Sequence, residues 1–305
     1  MSFHEPVLVR EVVSGLVVDP GGTYVDATAG GGGHGQAILE ALNADGFLVA
    51  LDRDQEAVAA ARERLSCFGA RVEVVRAEFS ELVRVLEDRA LKKVSGVLFD
   101  IGVSSHQLDA AGRGFSYRQD GPIDMRMDAR AGSSALDLIN SCSEEELAQT
   151  IRQFGEERQA GRIARAIRRR CNRDRLCSTG DLRAAIVETG PRHPAKTLAR
   201  VFQALRIAVN DELGQLQQGL DAAVQSVASG GRVGIISYHS LEDRLVKHAF
   251  ADQLRGCICP SDLPVCACGR EPTFRKAVAR VRAGTDEVAS NPRSRSATLR
   301  IFERL

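Results

Sequence analysis

The chain has 305 residues, 44% of them hydrophobic, enough for one large domain or a domain carrying an insertion. Aromatic residues make up only 5% and Trp is absent, so a core must rest on Val, Leu, Ile and Ala. With no apolar run of spanning length and no charged-then-apolar leader, the composition argues against a helical membrane protein and predicts a soluble, cytoplasmic one; the formal net charge of +1 excludes no partner by itself.

Thr23 to Val25 reads as a short strand ending in Asp26, followed by a loop of small residues to Gly35 and a helix-forming run from Gln36 to Leu42. Strand, glycine loop and helix open a doubly wound nucleotide-binding sheet, and Gly30, Gly32 and Gly35 satisfy G-x-G-x-x-G. That pattern serves NAD, FAD and S-adenosylmethionine (SAM) alike, and a turn that binds nothing is its bland alternative. Two acids sharpen it. The carboxylate of Asp26 attracts a cationic methionine amino group and repels a pyrophosphate. The next strand, Gly46 to Leu51, ends in Asp52, an acid suited to both hydroxyls of a ribose. The pair favours SAM over NAD.

A helix from Gln55 to Leu65 and a strand from Arg71 to Arg76 follow, and then Phe79, placed either to lie against an adenine or to fill the core. Val94 to Phe99 is a near-continuous apolar run, the mark of a buried parallel strand, and it ends in Asp100. Ligands of open α/β sheets sit at the carboxyl ends of strands, so Asp26, Asp52, Phe79 and Asp100 are expected to converge. Residues 100–128 show neither period; four acids (Asp109, Asp120, Asp124, Asp128) interleave with Arg113, Arg118 and Arg126, and the stretch reads as active-site wall rather than linker.

From residue 134 to 208 the pattern is helical, with segments at 144–154, 160–170, 179–189 and 195–209. Residues 151–210 hold 14 Lys and Arg against 5 Asp and Glu, a local surplus of nine positive charges. The helix 161–170 keeps Ile163, Ala166 and Ile167 on one face and arginines on the rest, and that surplus favours a phosphate-binding face over a merely solvated one. The expected domains are therefore a discontinuous cofactor-binding domain, 1–133 and 209–305, and a helical insertion, 134–208, that carries the phosphate-binding face. Sheet pattern resumes with a helix over 211–228, a strand over 232–237, Tyr238-His239-Ser240, a helix over 241–250 and a closing strand over 297–302. His239 is placed either to meet substrate or to fix its turn.

Of the eight cysteines, Cys67, Cys142, Cys171 and Cys177 are scattered and read as reduced, small apolar groups. Cys257-x-Cys259 and Cys266-x-Cys268 form two close pairs. Four thiolates suit tetrahedral zinc, yet one intervening residue is tighter than the usual two to four, so the reduced, metal-free reading stays open beside it, with a disulfide less favoured in a reducing cytosol. No metal is assigned to the catalytic site.

His4-Glu5-Pro6-Val7-Leu8, the loop Gly30 to Gly35, Asp100-Ile-Gly-Val-Ser-Ser105 with Gln107-Leu108-Asp109, Arg113-Gly-Phe-Ser116, Asp120-Gly-Pro-Ile-Asp-Met-Arg-Met-Asp128, Gly155-Glu-Glu157, Arg162-Ile-Ala-Arg165, Phe202-Gln-Ala-Leu-Arg-Ile207, His239-Ser-Leu-Glu-Asp-Arg244 and Asn291-Pro-Arg-Ser-Arg-Ser296 run nearly end to end. In these segments the sequence resembles the RsmH/MraW family of bacterial 16S ribosomal RNA (cytosine-N4)-methyltransferases. It departs at His106, where the family often has Pro, and the paired-Cys segment occurs in only part of the family. The resemblance implies a Rossmann-like methyltransferase sheet with an inserted all-helical domain. It implies SAM as cofactor, held by Gly32, Gly33, His34, Asp52, Phe79, Asp100 and Gln107. The implied partner is 16S rRNA of the small ribosomal subunit, methylated on the exocyclic N4 of a decoding-region cytosine, with no membrane or DNA partner.

The chemistry is consistent with the residues. Methylation of cytosine C5 needs a Cys nucleophile, and none follows the Asp100 strand. N4 needs alignment with the sulfonium methyl and an acceptor for an N4 hydrogen, for which Asp100 or the hydroxyls of Ser104 and Ser105 are placed. The base must leave its stack, and Phe115 or Tyr117 is available to receive it. The rivals are a DNA amino-methyltransferase, which shows Asp/Asn-Pro-Pro-Tyr/Phe where this chain has Asp100-Ile-Gly-Val, a NAD oxidoreductase, disfavoured by Asp26, and a non-catalytic RNA-binding scaffold, which predicts decayed loop acids.

Overall fold

The computed structural model describes residues 6–130, 132–257, 259 and 268–305, apart from the side chain of Ser105. The chain divides into two compact units, residues 1–102 with 213–305, and residues 103–212. The first unit begins with helix α1 (Val9–Leu16), strand β1 (Thr23–Asp26), α2 (Gly33–Ala41), β2 (Phe47–Asp52), α3 (Gln55–Leu65), β3 (Val72–Arg76), α4 (Leu82–Glu87) and β4 (Val94–Asp100). The second unit holds α5 (Ser105–Asp109), α6 (Ala135–Ser141), α7 (Glu144–Gly155), α8 (Ala160–Cys171), α9 (Thr179–Val187) and α10 (Pro194–Asn210). The chain returns to the first unit with α11 (Glu212–Ser226), β5 (Val227–Ser237), α12 (Ser240–Leu254), β6 (Phe274–Arg282), α13 (Thr285–Ser290) and β7 (Thr298–Arg304).

The seven strands are ordered β3-β2-β1-β4-β5-β7-β6. The first five are parallel, and β7 runs antiparallel between β5 and β6. Strand order reverses between β1 and β4, the switch point at which an open α/β sheet binds its ligand. Both faces are covered. Leu82, Val85, Leu216, Leu220, Val246 and Phe250 pack with one face, and Val12, Leu16, Ile38, Leu39, Ala61 and Leu65 with the other. Central strands buried on both faces need continuous apolar sequence, and Phe47–Leu51 and Val97–Phe99 supply it.

Two elements differ from the sequence reading. The closing strand is β6 rather than β7, and it went unread because Phe274–Arg282 is an exposed, arginine-rich edge strand. Such charge is how sheet edges resist pairing with other chains. Strand β5 starts at Val227 rather than 232, running through Gly230 and Gly231.

The second unit is wider than the expected 134–208. Phe115, Ile123, Met125 and Met127 share one apolar cluster with Ile139, Ile151, Ile163, Ile167, Val201 and Leu205, so the stretch that lacked periodicity folds with the helices that follow it. Its charges are largely consumed in its own architecture. Asp124 and Arg126 form a bidentate pair at 2.8 Å, Arg113 donates to the Arg126 and Met127 carbonyls, and Asp120 accepts the Gly180 N–H at 2.8 Å. Asn210 ties down the same stretch, accepting from the Met127 N–H and donating to the Met125 carbonyl. Among the described residues, no helix is long and apolar enough to cross a membrane.

Candidate active site

Asp26 is fully buried at the end of β1. Its Oδ1 accepts the Thr28 N–H at 3.2 Å, while Oδ2 is buried with no hydrogen-bond partner. Burial pushes the carboxyl up to about 6, an effect opposed by His34 and the Thr28 amide and reinforced by Asp100 and Asp52. An acceptor left open in a buried position is costly unless a donor arrives to use it.

Asp52 ends β2 and holds the glycine loop in place. Its Oδ2 accepts the Gly30 N–H at 2.8 Å and its Oδ1 the Asp54 N–H at 2.9 Å. Loss of solvation raises this carboxyl to about 6 as well, against the pull of those two amides. A carboxylate has about four lone-pair sites, so two further donors can still be accepted.

The loop between these acids depends on glycine in two ways. Gly32 caps α2 with φ +78°, a left-handed conformation that side chains rarely adopt. Gly35 lets α2 settle on the sheet, since a Cβ there would stand 3.1 Å from Leu48 Cδ2. Gly33 lies against Pro6, where a Cβ would meet the ring at 2.9 Å.

His34, on the first turn of α2, is buried and donates from Nε2 to the Val7 carbonyl at 2.8 Å. Its Nδ1 faces Asp100 Oδ2 at 3.5 Å. The backbone N–H of Asp100 donates to Thr28 Oγ1 at 2.6 Å, and Oδ1 accepts the Tyr238 phenol at 2.8 Å. Burial and the neighbouring Asp100 charge hold the Tyr238 phenol well above its ordinary pKa, so it stays a donor. Neither Thr28 nor Tyr238 was singled out in the sequence. Applying the strand-end rule to β5, as it was applied to β1, β2 and β4, would have found Tyr238.

Phe79 follows β3, half-buried, with its ring edge-on to Phe99 at 5.9 Å. Gly219 of α11 presses against it, for a Cβ there would be 2.7 Å from Phe79 Cδ2. One turn earlier on α11, Gln215 Oε1 is a second buried acceptor with no partner; no signal in the sequence marked it.

The remaining candidates are placed as follows. Ser104 caps α5 with its hydroxyl on the Gln107 N–H at 3.2 Å, and Gln107 Oε1 returns to the Ser104 N–H at 3.1 Å. Both belong to the second unit, and the Ser105 side chain and residues His4 and Glu5 lie outside the described structure. Phe115 is 95% buried in the core of that unit, so it offers no open face to a base. Tyr117 is half-buried, edge-on to Phe202 at 5.8 Å. His239 fixes its turn: it caps α12 through Nδ1, and Glu242 accepts the Tyr238 and His239 amides in return.

The residues present fit SAM. An unpartnered buried carboxylate oxygen at Asp26 suits an ammonium, Asp52 suits vicinal hydroxyls, and Phe79 suits a flat heterocycle.

Comparison with known proteins agrees. Ribosomal RNA small subunit methyltransferase H of Syntrophus aciditrophicus (strain SB) is 49% identical over 315 residues, covering 100% of this chain and 98% of that protein. The protein of the same name from Symbiobacterium thermophilum is 49% identical over 314 residues with the same coverage, and that from Heliobacterium modesticaldum is 49% identical over 315 residues, covering all of both chains. The family model for the MraW methylase family matches residues 1–305. With the glycine loop, its bracketing acids and the whole length of the chain in agreement, the chain belongs to the MraW methylase family.

Proposed function

We propose that the protein transfers the methyl group of SAM to the exocyclic N4 of a cytosine in the decoding region of 16S rRNA, acting on the small ribosomal subunit or its precursor. The observation that carries this reading is the glycine loop bracketed by Asp26 and Asp52, in a chain that matches the methylase family from residue 1 to 305. Relatives named ribosomal RNA small subunit methyltransferase H support the substrate class. Ribosomes are assembled in the bacterial cytoplasm, which makes the cytoplasm its compartment.

When bound, SAM supplies an electrophilic methyl that needs no covalent enzyme intermediate. The chain's own task is alignment and proton handling. Asp26 and Asp52 would hold the two polar ends of the donor, and Phe79 its flat base. Asp100 is held by Tyr238 on Oδ1, with His34 facing Oδ2, and its fixed carboxylate accepts an N4 hydrogen as the nitrogen lone pair turns to the methyl. Ser104, Ser105 and Gln107 follow Asp100 in the chain and are the further candidates. The second unit carries the RNA-binding charge. Arg162, Arg165 and Arg169 of α8 are exposed, Arg165 in a 3.0 Å ion pair with Glu144, whereas Arg168 donates to the Ile139 carbonyl at 2.8 Å.

Incubating the protein with small-subunit rRNA and methyl-labelled SAM, followed by nucleoside mass spectrometry, tests the reading. Labelled N4-methylcytidine is the expected product; 5-methylcytidine, or label appearing in DNA instead, overturns it.

A further inference from the structure

Helix α12 ends at Leu254 and β6 begins at Phe274, and the chain between them is tied at its base. The Thr273 N–H donates to the Gln253 carbonyl at 2.9 Å, and the Arg270 guanidinium to the Asp252 carbonyl at 2.8 Å. Within this excursion the thiols of Cys257, Cys259 and Cys268 converge, their sulfurs all within 4.8 Å of one another.

The spacing is informative. Cys257 and Cys268 sulfurs lie 3.7 Å apart, far beyond the length of about 2.05 Å that a disulfide requires. Around a tetrahedral zinc with Zn–S bonds of about 2.3 Å, neighbouring sulfurs stand about 3.8 Å apart. The pair is thus spaced as two ligands of one ion. The Cys259 N–H lies 3.4 Å from Cys257 Sγ, an amide-to-sulfur contact that orients the sulfur. Gly269, at φ +58° directly after Cys268, turns the chain back toward β6.

Cys257 and Cys268 are exposed and Cys259 is half-buried, and among the described residues of 255–272 none belongs to either apolar cluster of this unit. A structural metal can hold thiols together where buried apolar area does not.

We propose that Cys257, Cys259 and Cys268 bind one zinc ion as thiolates, a structural site that fixes the excursion between α12 and β6. Each thiol releases its proton to solvent as its sulfur bonds the ion, and no oxidant or reductant is involved. Soft donors at tetrahedral spacing select zinc over the hard divalent cations.

The test uses the full chain, purified under reducing, chelator-free conditions, supplied with zinc chloride and passed over chelating resin. Elemental analysis is expected to find about one zinc per chain. C257S and C268S each lose that zinc, while C67S, an exposed thiol elsewhere, retains it. Because a variant can fail to fold, cobalt substitution of the wild-type chain supplies an independent reading. Sulfur-to-cobalt charge-transfer bands and tetrahedral ligand-field bands are expected, with an intensity of three thiolates, or four if Cys266, outside the described residues, also binds. A wild-type chain that holds no zinc after reconstitution, zinc retained by C257S/C268S, or a cobalt spectrum without thiolate bands overturns the proposal.

Discussion

The Tyr238 phenol donates a 2.8 Å hydrogen bond to Asp100 Oδ1, joining the carboxyl ends of β5 and β4. Tyr238→Phe removes that donor and nothing else of the side chain's bulk. Loss of one hydrogen bond to a charged, partly buried acceptor is worth about 1.5–3 kcal/mol. Single-turnover rates at saturating SAM are therefore expected to fall by roughly 10-fold or more, with the circular dichroism spectrum unchanged. Wild-type rates in this variant would show that the phenol does not set the position of Asp100.

Asp100→Asn preserves size but replaces one acceptor oxygen with an NH₂ donor. Turnover is expected to drop by roughly 10²-fold or more, in the range of a lost acid–base group. A role toward the cofactor raises the SAM dissociation constant, whereas a role toward N4 lowers the single-turnover rate at saturating SAM. The residual product is expected to remain N4-methylcytidine.

Asp52→Ala removes the acceptor proposed for the ribose and also frees the Gly30 N–H that Asp52 holds. SAM affinity is expected to fall by about 1–3 kcal/mol, read by calorimetry. The melting temperature of the unliganded protein should fall too, because the loop loses its anchor to β2. Unchanged affinity would remove Asp52 from the cofactor site.

Binding and stability are expected to respond to pH in opposite directions. Asp26 and Asp52 hold their protons up to about 6 in the folded chain, against 3.8 for the ordinary group. The folded state binds more protons than the unfolded state across that interval, so stability of the unliganded protein declines as pH rises from about 4 to about 6 and then levels. Each carboxyl accounts for about 3 kcal/mol of that decline. SAM, whose ammonium needs an ionised Asp26, is expected to bind more tightly as pH rises through the same window. Asp26→Asn should remove its own share of the stability decline, leaving that of Asp52, and make SAM binding less dependent on pH, as measured by thermal unfolding and calorimetry between pH 4 and 7. A binding curve for Asp26→Asn parallel to wild type would contradict the role given to Asp26.

Replacing Arg162, Arg165 and Arg169 with Gln is expected to reduce the slope of log affinity for rRNA against log salt by about two to three. SAM binding should be untouched. Arg168→Gln is the contrasting case: it strips a donor from the Ile139 carbonyl, so it should lower the melting temperature. Equal salt slopes for wild type and the triple variant would move the RNA contact elsewhere.

The strand ends that carry the candidate site were legible because their rules are local. A strand of apolar residues that ends in an acid declares both its register and its exit, and Asp26, Asp52 and Asp100 each follow that rule. What stayed hidden depends on residues far apart in the chain. Tyr238 reaches Asp100 across 138 positions, and Thr28 reaches it across 72. The arginine-rich β6 resembled loop because its apolar positions face only one neighbour. Residues 100–128 read as an active-site wall, and a single sequence does not tell a carboxylate aimed at substrate from one closing a turn, as Asp124 does with Arg126.

Strand β4 has β1 on one side and β5 on the other, and the chain that separates β4 from β5 includes the whole second unit. A nascent chain emerging from the ribosome therefore carries β1 to β4 with one long apolar edge uncovered until Val227 and its successors appear. The contiguous second unit can condense in that interval, whereas closure of the sheet waits for the carboxyl-terminal quarter. Slow or interrupted translation after Gly102 is consequently the period of greatest exposure to misassociation, and a chain ending before Val227 is expected to aggregate even though every residue of the glycine loop is present.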